Sequence, residues 1–169
     1  MKKLLKELFE SLLLSLVIVF ILLKFIFIPC VVEGSSMEPV LKNDDFGYSF
    51  IITKAISINR FDIVVINVSD NSNNEKLLVK RVVGLPGETI SYVDNKLYVN
   101  GEYVAEDFLI NNPKTSDFTM ELDDDEYCCL GDNRSVSRDS RFYGAFKKDK
   151  IVSSHLFILY PFDKFGFKK

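Results

Sequence analysis

Hydrophobicity along the chain changes character once. From about Leu8 to Ile28 almost every position is apolar. Beyond Val31 apolar residues arrive in short bursts separated by turn formers. The first stretch is close to the ~20 residues that cross a hydrocarbon core, and it predicts a transmembrane helix over 8–28. Lys24 interrupts it near one end, where a long side chain can snorkel to the interface. The bursts that follow read as strands: "FGYSFII", "FDIVVINV", "LLVKRVVGL", "ETISYV", "KLYVNGEYV", "DFTMEL", "EYCCL" and "SSHLFILYPF". Asn100-Gly101 marks a hairpin, because both residues tolerate positive φ. Pro86 and Gly87 mark another turn, and Ser69 to Lys76 a polar surface loop. The pattern predicts a mainly β domain of antiparallel sheet over 31–169 behind one helical anchor. A smaller cap-like β subregion is expected at about 88–128, and residues 1–7 precede the span.

Lysines ahead of the span favour a cytoplasmic N-terminus with the β-rich domain outside. A cleaved secretory signal has the same basic start and apolar middle, but it ends on small residues. No alanine occurs before Ala55, so a retained anchor is the better reading. The segment through Glu33 carries one net positive charge out of a total of −3, leaving the remainder near −4. Basic residues do not cluster, which argues against nucleic acid as a partner. Cys30, Cys128 and Cys129 have neither disulfide nor zinc spacing, so no metal or cofactor is expected. On a strand, Cys128 and Cys129 point to opposite faces.

Three stretches carry possible chemistry. "GSSMEPVL", just past the apolar span, offers Ser35 and Ser36 as linker, cap or nucleophile. A serine nucleophile needs a base, and the single histidine, His155, sits in an apolar strand pattern where a structural role is the commoner one. Lysine can replace it only when neutral. At an ordinary pKa of about 10.4, roughly one in a thousand is neutral near pH 7, and a drop of ~3 units costs about 4 kcal/mol. Lys80 in "LLVKRVVGL" is the lysine with apolar neighbours on both sides. Period-2 alternation puts Leu78, Lys80 and Val82 on one face and turns Arg81 outward. Its plainer reading is a snorkelling edge lysine. "GDNRSVSRDSR", Gly131 to Arg141, is either an exposed loop or a structured support in which Asp139 pairs with an arginine and a serine hydroxyl orients a lysine.

Taken in order, "VVEGSSMEPVL", "FDIVVI", "LVKRVVGLPGE" and "GDNRSVSRDSR" resemble the conserved boxes of bacterial type I signal peptidases, membrane-bound serine endopeptidases with a Ser–Lys dyad. The resemblance implies Ser36, directly before Met37, as nucleophile and Lys80 as general base. It implies Ser137 as the hydroxyl that orients the lysine, and Asp139 with Arg141 as a supporting ion pair. Asp132, Asn133 and Arg134 become a structural turn opened by Gly131, with Gly34 and Pro39 shaping the nucleophile segment. Val40 stands where Thr is usual and Val136 where Asn is common. Gly34 replaces a hydroxyl residue that donates to the oxyanion in some members, leaving the Ser36 backbone N–H as the donor carried over. The implied substrates are preprotein signal peptides presented at a lipid bilayer. Two alternatives stay open: a processing peptidase dedicated to a narrow substrate such as a pilin, and a non-catalytic tethered β-module.

Overall fold

The computed structural model describes residues 2–51, 57–69, 75–110 and 113–168. Most of the expected polar loop, 70–74, lies outside them. Helix α1 (Lys2–Ile26) is 25 residues long, about 37 Å at 1.5 Å per residue, and its apolar side chains from Leu4 to Ile21 are exposed. It is long and apolar enough to cross a membrane. The helix ends two residues sooner than the apolar run suggests, because strand β1 (Phe27–Val31) begins at Phe27. Pro29 disfavours helical geometry at the residue before it, and β2 (Phe46–Phe50) supplies the antiparallel partner, with Pro29 opposite Tyr48.

The remaining elements are β3 (Ile63–Ser69), β4 (Glu75–Gly84), β5 (Thr89–Val93), β6 (Lys96–Val99), β7 (Glu102–Val104), β8 (Phe118–Glu121), β9 (Glu126–Leu130), α2 (Ser140–Tyr143), β10 (Phe146–Lys147), β11 (Ile151–Tyr160) and β12 (Gly166–Lys168). They form a large sheet ordered β1-β2-β11-β3-β4-β9-β10, with β12 against β11, and a four-stranded sheet ordered β7-β6-β5-β8. The pairings in both sheets are antiparallel. The small sheet is inserted between β4 and β9, and its β6–β7 hairpin turns at Asn100 (φ 51°) and Gly101 (φ 83°).

Alternation along β9 explains how the two sheets are joined. Cys129 packs with Val64, Ile66, Val82 and Ile151 on one side of the strand. Cys128 packs on the other with Val83, Ile90, Tyr92 and Leu97 of the small sheet. Both thiols are free, and burial raises that of Cys128 to about 12. A third cluster, built on Val32, Met37, Leu41, Ile63, Leu156 and Ile158, anchors the segment after β1 to the large sheet. Full burial of each such side chain contributes roughly 1.5–3 kcal/mol, so Met37 and Leu41 hold Ser36 in place by hydrophobic packing.

Among the described residues two strand edges lack strand partners where they matter. β1 ends the large sheet. On the side away from β3, β4 pairs with β9 only from Arg81 onward, so no described strand lies beside Glu75–Lys80 there. Both edges face one groove.

Candidate active site

Ser36 and Lys80, 44 positions apart in sequence, meet in this groove, with Lys80 Nζ 2.8 Å from Ser36 Oγ. The serine lies in the turn between β1 and β2, fixed on one side by buried Met37. The lysine lies where β4 passes from its open edge into the paired core, opposite Val64. The Lys80 amine also donates to the carbonyl of Val79 at 2.9 Å. Its side chain is only 2% exposed. Burial pushes its pKa down to about 8, against the opposing pull of Asp139, whose negative charge favours the ammonium form. At pH 7 a pKa near 8 leaves about one molecule in ten with a neutral amine, against fewer than one in a thousand for an exposed lysine.

The groove holds about 650 Å³. Ile28 to Val32 of β1 and Glu75 to Val79 of β4 form its walls, Ser36 and Lys80 lie within it, and Val136, Arg138 and Tyr143 close one side. Among the described residues no group of three or more His, Cys, Asp or Glu side chains is placed to hold a metal ion.

Residues 131–141 are a folded support, with Gly131, Asp132, Arg134 and Asp139 all buried. Asp139 accepts from the Gly131 N–H (3.0 Å) and from Nε and Nη2 of Arg141 (2.9 and 2.8 Å), while also capping α2. Burial favours its neutral form, but the guanidinium and the Gly131 N–H outweigh that and hold the carboxyl below its ordinary value. Gly131 packs so tightly that a Cβ would collide with the Ser36 carbonyl oxygen and the Ser137 hydroxyl. Gly131→Ala therefore has to displace the Ser36 backbone. A shift of about an ångström there is expected to cost roughly a hundredfold in kcat if Ser36 is the reacting group, read in a steady-state activity assay.

Chain comparisons agree with one another. The family model for signal peptidase, peptidase S26, matches residues 5–160. Signal peptidase I S of Bacillus subtilis is 36% identical, with 96% of this chain and 93% of the relative aligned. Signal peptidase IB of Staphylococcus aureus (strain MRSA252) is 34% identical, covering 99% of this chain and 95% of the relative. The crystal structure of a signal peptidase I from Enterococcus faecalis superposes with a TM-score of 0.50 at 33% identity, covering 58% of this chain and 96% of that one.

The chain belongs to the S26 signal peptidase family. Within that family frame, the remaining site residues differ in how closely they approach the Ser36–Lys80 pair. The Ser137 hydroxyl is buried against Gly131 and beside the Asp139 carboxylate, and among the described residues no hydrogen bond joins it to the Lys80 amine. Gly34 sits at φ 81° with its N–H donating to Asn43 Oδ1 at 2.8 Å, and Pro39 is exposed on the same turn. Val136 is exposed on the groove rim. His155 occupies a bulge in β11, its Nδ1 3.0 Å from Ser154 Oγ, and is not among the groove's lining residues.

Arg81 departs from the alternation reading. It is buried, and forms a two-pronged pair with Asp132 at 2.8 and 2.7 Å. The reason is that Asp132 and the segments carrying Phe61 and Phe108 lie over its face of β4 and leave no outward side at that register. Its guanidinium also donates to Phe61 O and stacks 4.1 Å from the Phe108 ring centroid. The reading of the sequence also passes over Glu106, which pairs with buried Arg134 at 2.5 Å and ties the segment after β7 to the 131–141 loop. Tyr92 of the small sheet completes that contact through its hydroxyl. Nothing local marks Glu106, because its partner lies 28 residues further on. Ser140 is a quieter omission; its hydroxyl accepts from the Cys129 N–H of β9 at 2.8 Å.

Proposed function

We propose that this chain is a membrane-anchored serine endopeptidase that removes N-terminal signal peptides from preproteins, with Ser36 as nucleophile and Lys80 as general base. The observation that carries this reading is the 2.8 Å contact between a buried lysine amine and a serine hydroxyl at an open groove. α1 spans the bilayer with its N-terminus cytoplasmic, and β1 follows it without a linker. The groove therefore starts close to the membrane surface, where an inserted signal peptide presents its cleavage site. The unpaired edges of β1 and β4 offer main-chain donors and acceptors to an extended substrate segment. By family likeness, small residues such as alanine are selected just before the cut and two positions earlier.

The neutral Lys80 amine takes the proton from Ser36 Oγ as that oxygen attacks the scissile carbonyl. The resulting oxyanion accepts a hydrogen bond from the Ser36 N–H. As the carbon–nitrogen bond breaks, the Lys80 ammonium returns its proton to the departing amine of the mature protein. The signal peptide is left as an ester on Ser36. Water then gives a proton to Lys80 and attacks the ester, and Ser36 leaves with the proton it regains. No metal or cofactor enters the sequence.

The test uses detergent-solubilised full-length protein and a preprotein bearing an Ala-x-Ala site. Wild type and His155→Ala are expected to cleave it, and Ser36→Ala to leave it intact. A Ser36→Ala variant that cleaves at the wild-type rate would remove the nucleophile assignment, and an inert wild type would favour a narrower substrate class or a non-catalytic module.

A further inference from the structure

Asn133 grips the nucleophile turn at two successive carbonyls. Its backbone N–H donates to the Ser36 carbonyl at 3.0 Å, and its Nδ2 donates to the Ser35 carbonyl at 3.1 Å. Two successive peptide planes are thus gripped by one residue of the 131–141 loop. The amide's orientation is set as well, because Asn133 Oδ1 accepts from Ser135 Oγ at 3.2 Å and leaves Nδ2 for Ser35. A second donor, the Glu38 N–H, reaches the same Ser35 carbonyl at 3.2 Å.

These contacts bear on an atom they do not touch. The Ser35–Ser36 peptide is trans, so its carbonyl and its N–H point in opposite directions. Fixing the Ser35 carbonyl toward Asn133 fixes the Ser36 N–H away from Asn133. Among the described residues no acceptor takes that N–H, and Ser36 lines the groove. The Gly34 N–H is committed to Asn43 Oδ1, and Gly34 has no hydroxyl to contribute. We infer that Asn133 is a positioning residue for the oxyanion, its amide holding the Ser35–Ser36 peptide so that the Ser36 N–H faces the carbonyl under attack. This rests on the peptidase reading above and adds to it the group that keeps the oxyanion donor aimed. Asn133 touches no reacting atom. Its contribution is preorganisation, which matters because a donor already aimed needs no reorientation as charge develops.

Asn133→Ala removes the Nδ2 donor, and Asn133→Asp keeps the volume while setting a carboxylate against the Ser35 carbonyl. Both are assayed as full-length protein with the Ala-x-Ala preprotein, beside wild type and Ser36→Ala. Loss of a whole oxyanion donor lowers kcat by 10²–10³, so misaiming one is expected to lower it about 10- to 100-fold. KM should stay within about twofold, since the same substrate contacts form in the ground state. The acid limb of kcat/KM should not move, because the Lys80–Ser36 contact lies outside the Asn133 grip. Unchanged kcat in both variants would overturn the inference. So would a kcat loss accompanied by a displaced acid limb, which would place the effect on the lysine. Failure of both variants to fold, seen by thermal unfolding, would make the role structural and overturn it too; if only Asn133→Ala fails, Asn133→Asp decides. An inert wild type would instead reject the substrate reading, so the two failures are distinguishable.

Discussion

Lys80→Met is expected to abolish preprotein cleavage while leaving a protein at least as stable as wild type at pH 7. Activity disappears because among the described residues no other base touches Ser36 Oγ; His155 sits on a bulge in β11 and does not line the groove. Removing the base of a serine hydrolase costs on the order of 10⁴ or more in kcat. Stability moves the other way. The folded protein lowers the Lys80 pKa from 10.5 to about 8, so at neutral pH folding works against a buried proton. That penalty is fully present below pH 8 and is worth roughly 3 kcal/mol. It fades as pH rises from 8 to 10.5, where the unfolded chain gives up the same proton. Methionine has a similar shape and no charge, so it removes the penalty. The lost hydrogen bonds to Ser36 and the Val79 carbonyl offset part of the gain, at roughly 1 kcal/mol each. Thermal unfolding at pH 7 and pH 10 checks this: the variant should match or exceed wild type at pH 7 and lose that advantage by pH 10.

Asp132→Ala is the substitution expected to damage the fold most. Arg81 and Asp132 are each about 1% exposed and bind each other through two hydrogen bonds. Truncating the carboxylate leaves the guanidinium in the core with the Phe61 carbonyl and the Phe108 ring as its described contacts and the Glu106 carboxylate, already paired with Arg134, as the remaining nearby charge. Stranding one charge of such a pair costs about 3–5 kcal/mol. For a chain of this size that corresponds to a fall in Tm of roughly 10 °C or more. The double change Arg81→Met with Asp132→Leu removes both charges together and should recover most of the loss. A double variant no better than Asp132→Ala would mean that the pair's geometry, not its charge balance, holds the loop to β4.

Different parts of this arrangement are visible in the sequence to different degrees, for physical reasons. The strands are readable because each is short, β-rich and bounded by turn formers, as with Asn100-Gly101 between β6 and β7. β1 is concealed, since Phe27–Val31 continues the apolar run of α1 and only Pro29 breaks it. Lys80 stands out because a cation between apolar neighbours is unusual, and the structure sets its amine beside Ser36. Arg81 is misread by the same alternation, because a period of two describes one strand and knows nothing of the neighbour that covers it. Here the segments that carry Phe61, Phe108 and Asp132 close over Arg81, directly after Lys80, which is itself buried. Glu106 lies in an irregular segment and acquires meaning only when the small sheet folds back onto Arg134. Pairings between distant segments are set by topology, which local pattern does not carry.

The most direct measurement is the pH dependence of kcat/KM for preprotein cleavage by the full-length protein. A Lys80 base that must be neutral in the free enzyme should give an acid limb of unit slope with its midpoint at about 8, the rate rising with pH to a plateau above it. The same profile is expected for His155→Ala. A midpoint near 6.5 that disappears in His155→Ala, or a rate that shows no rise between pH 6 and pH 9, would contradict a lysine base at this site.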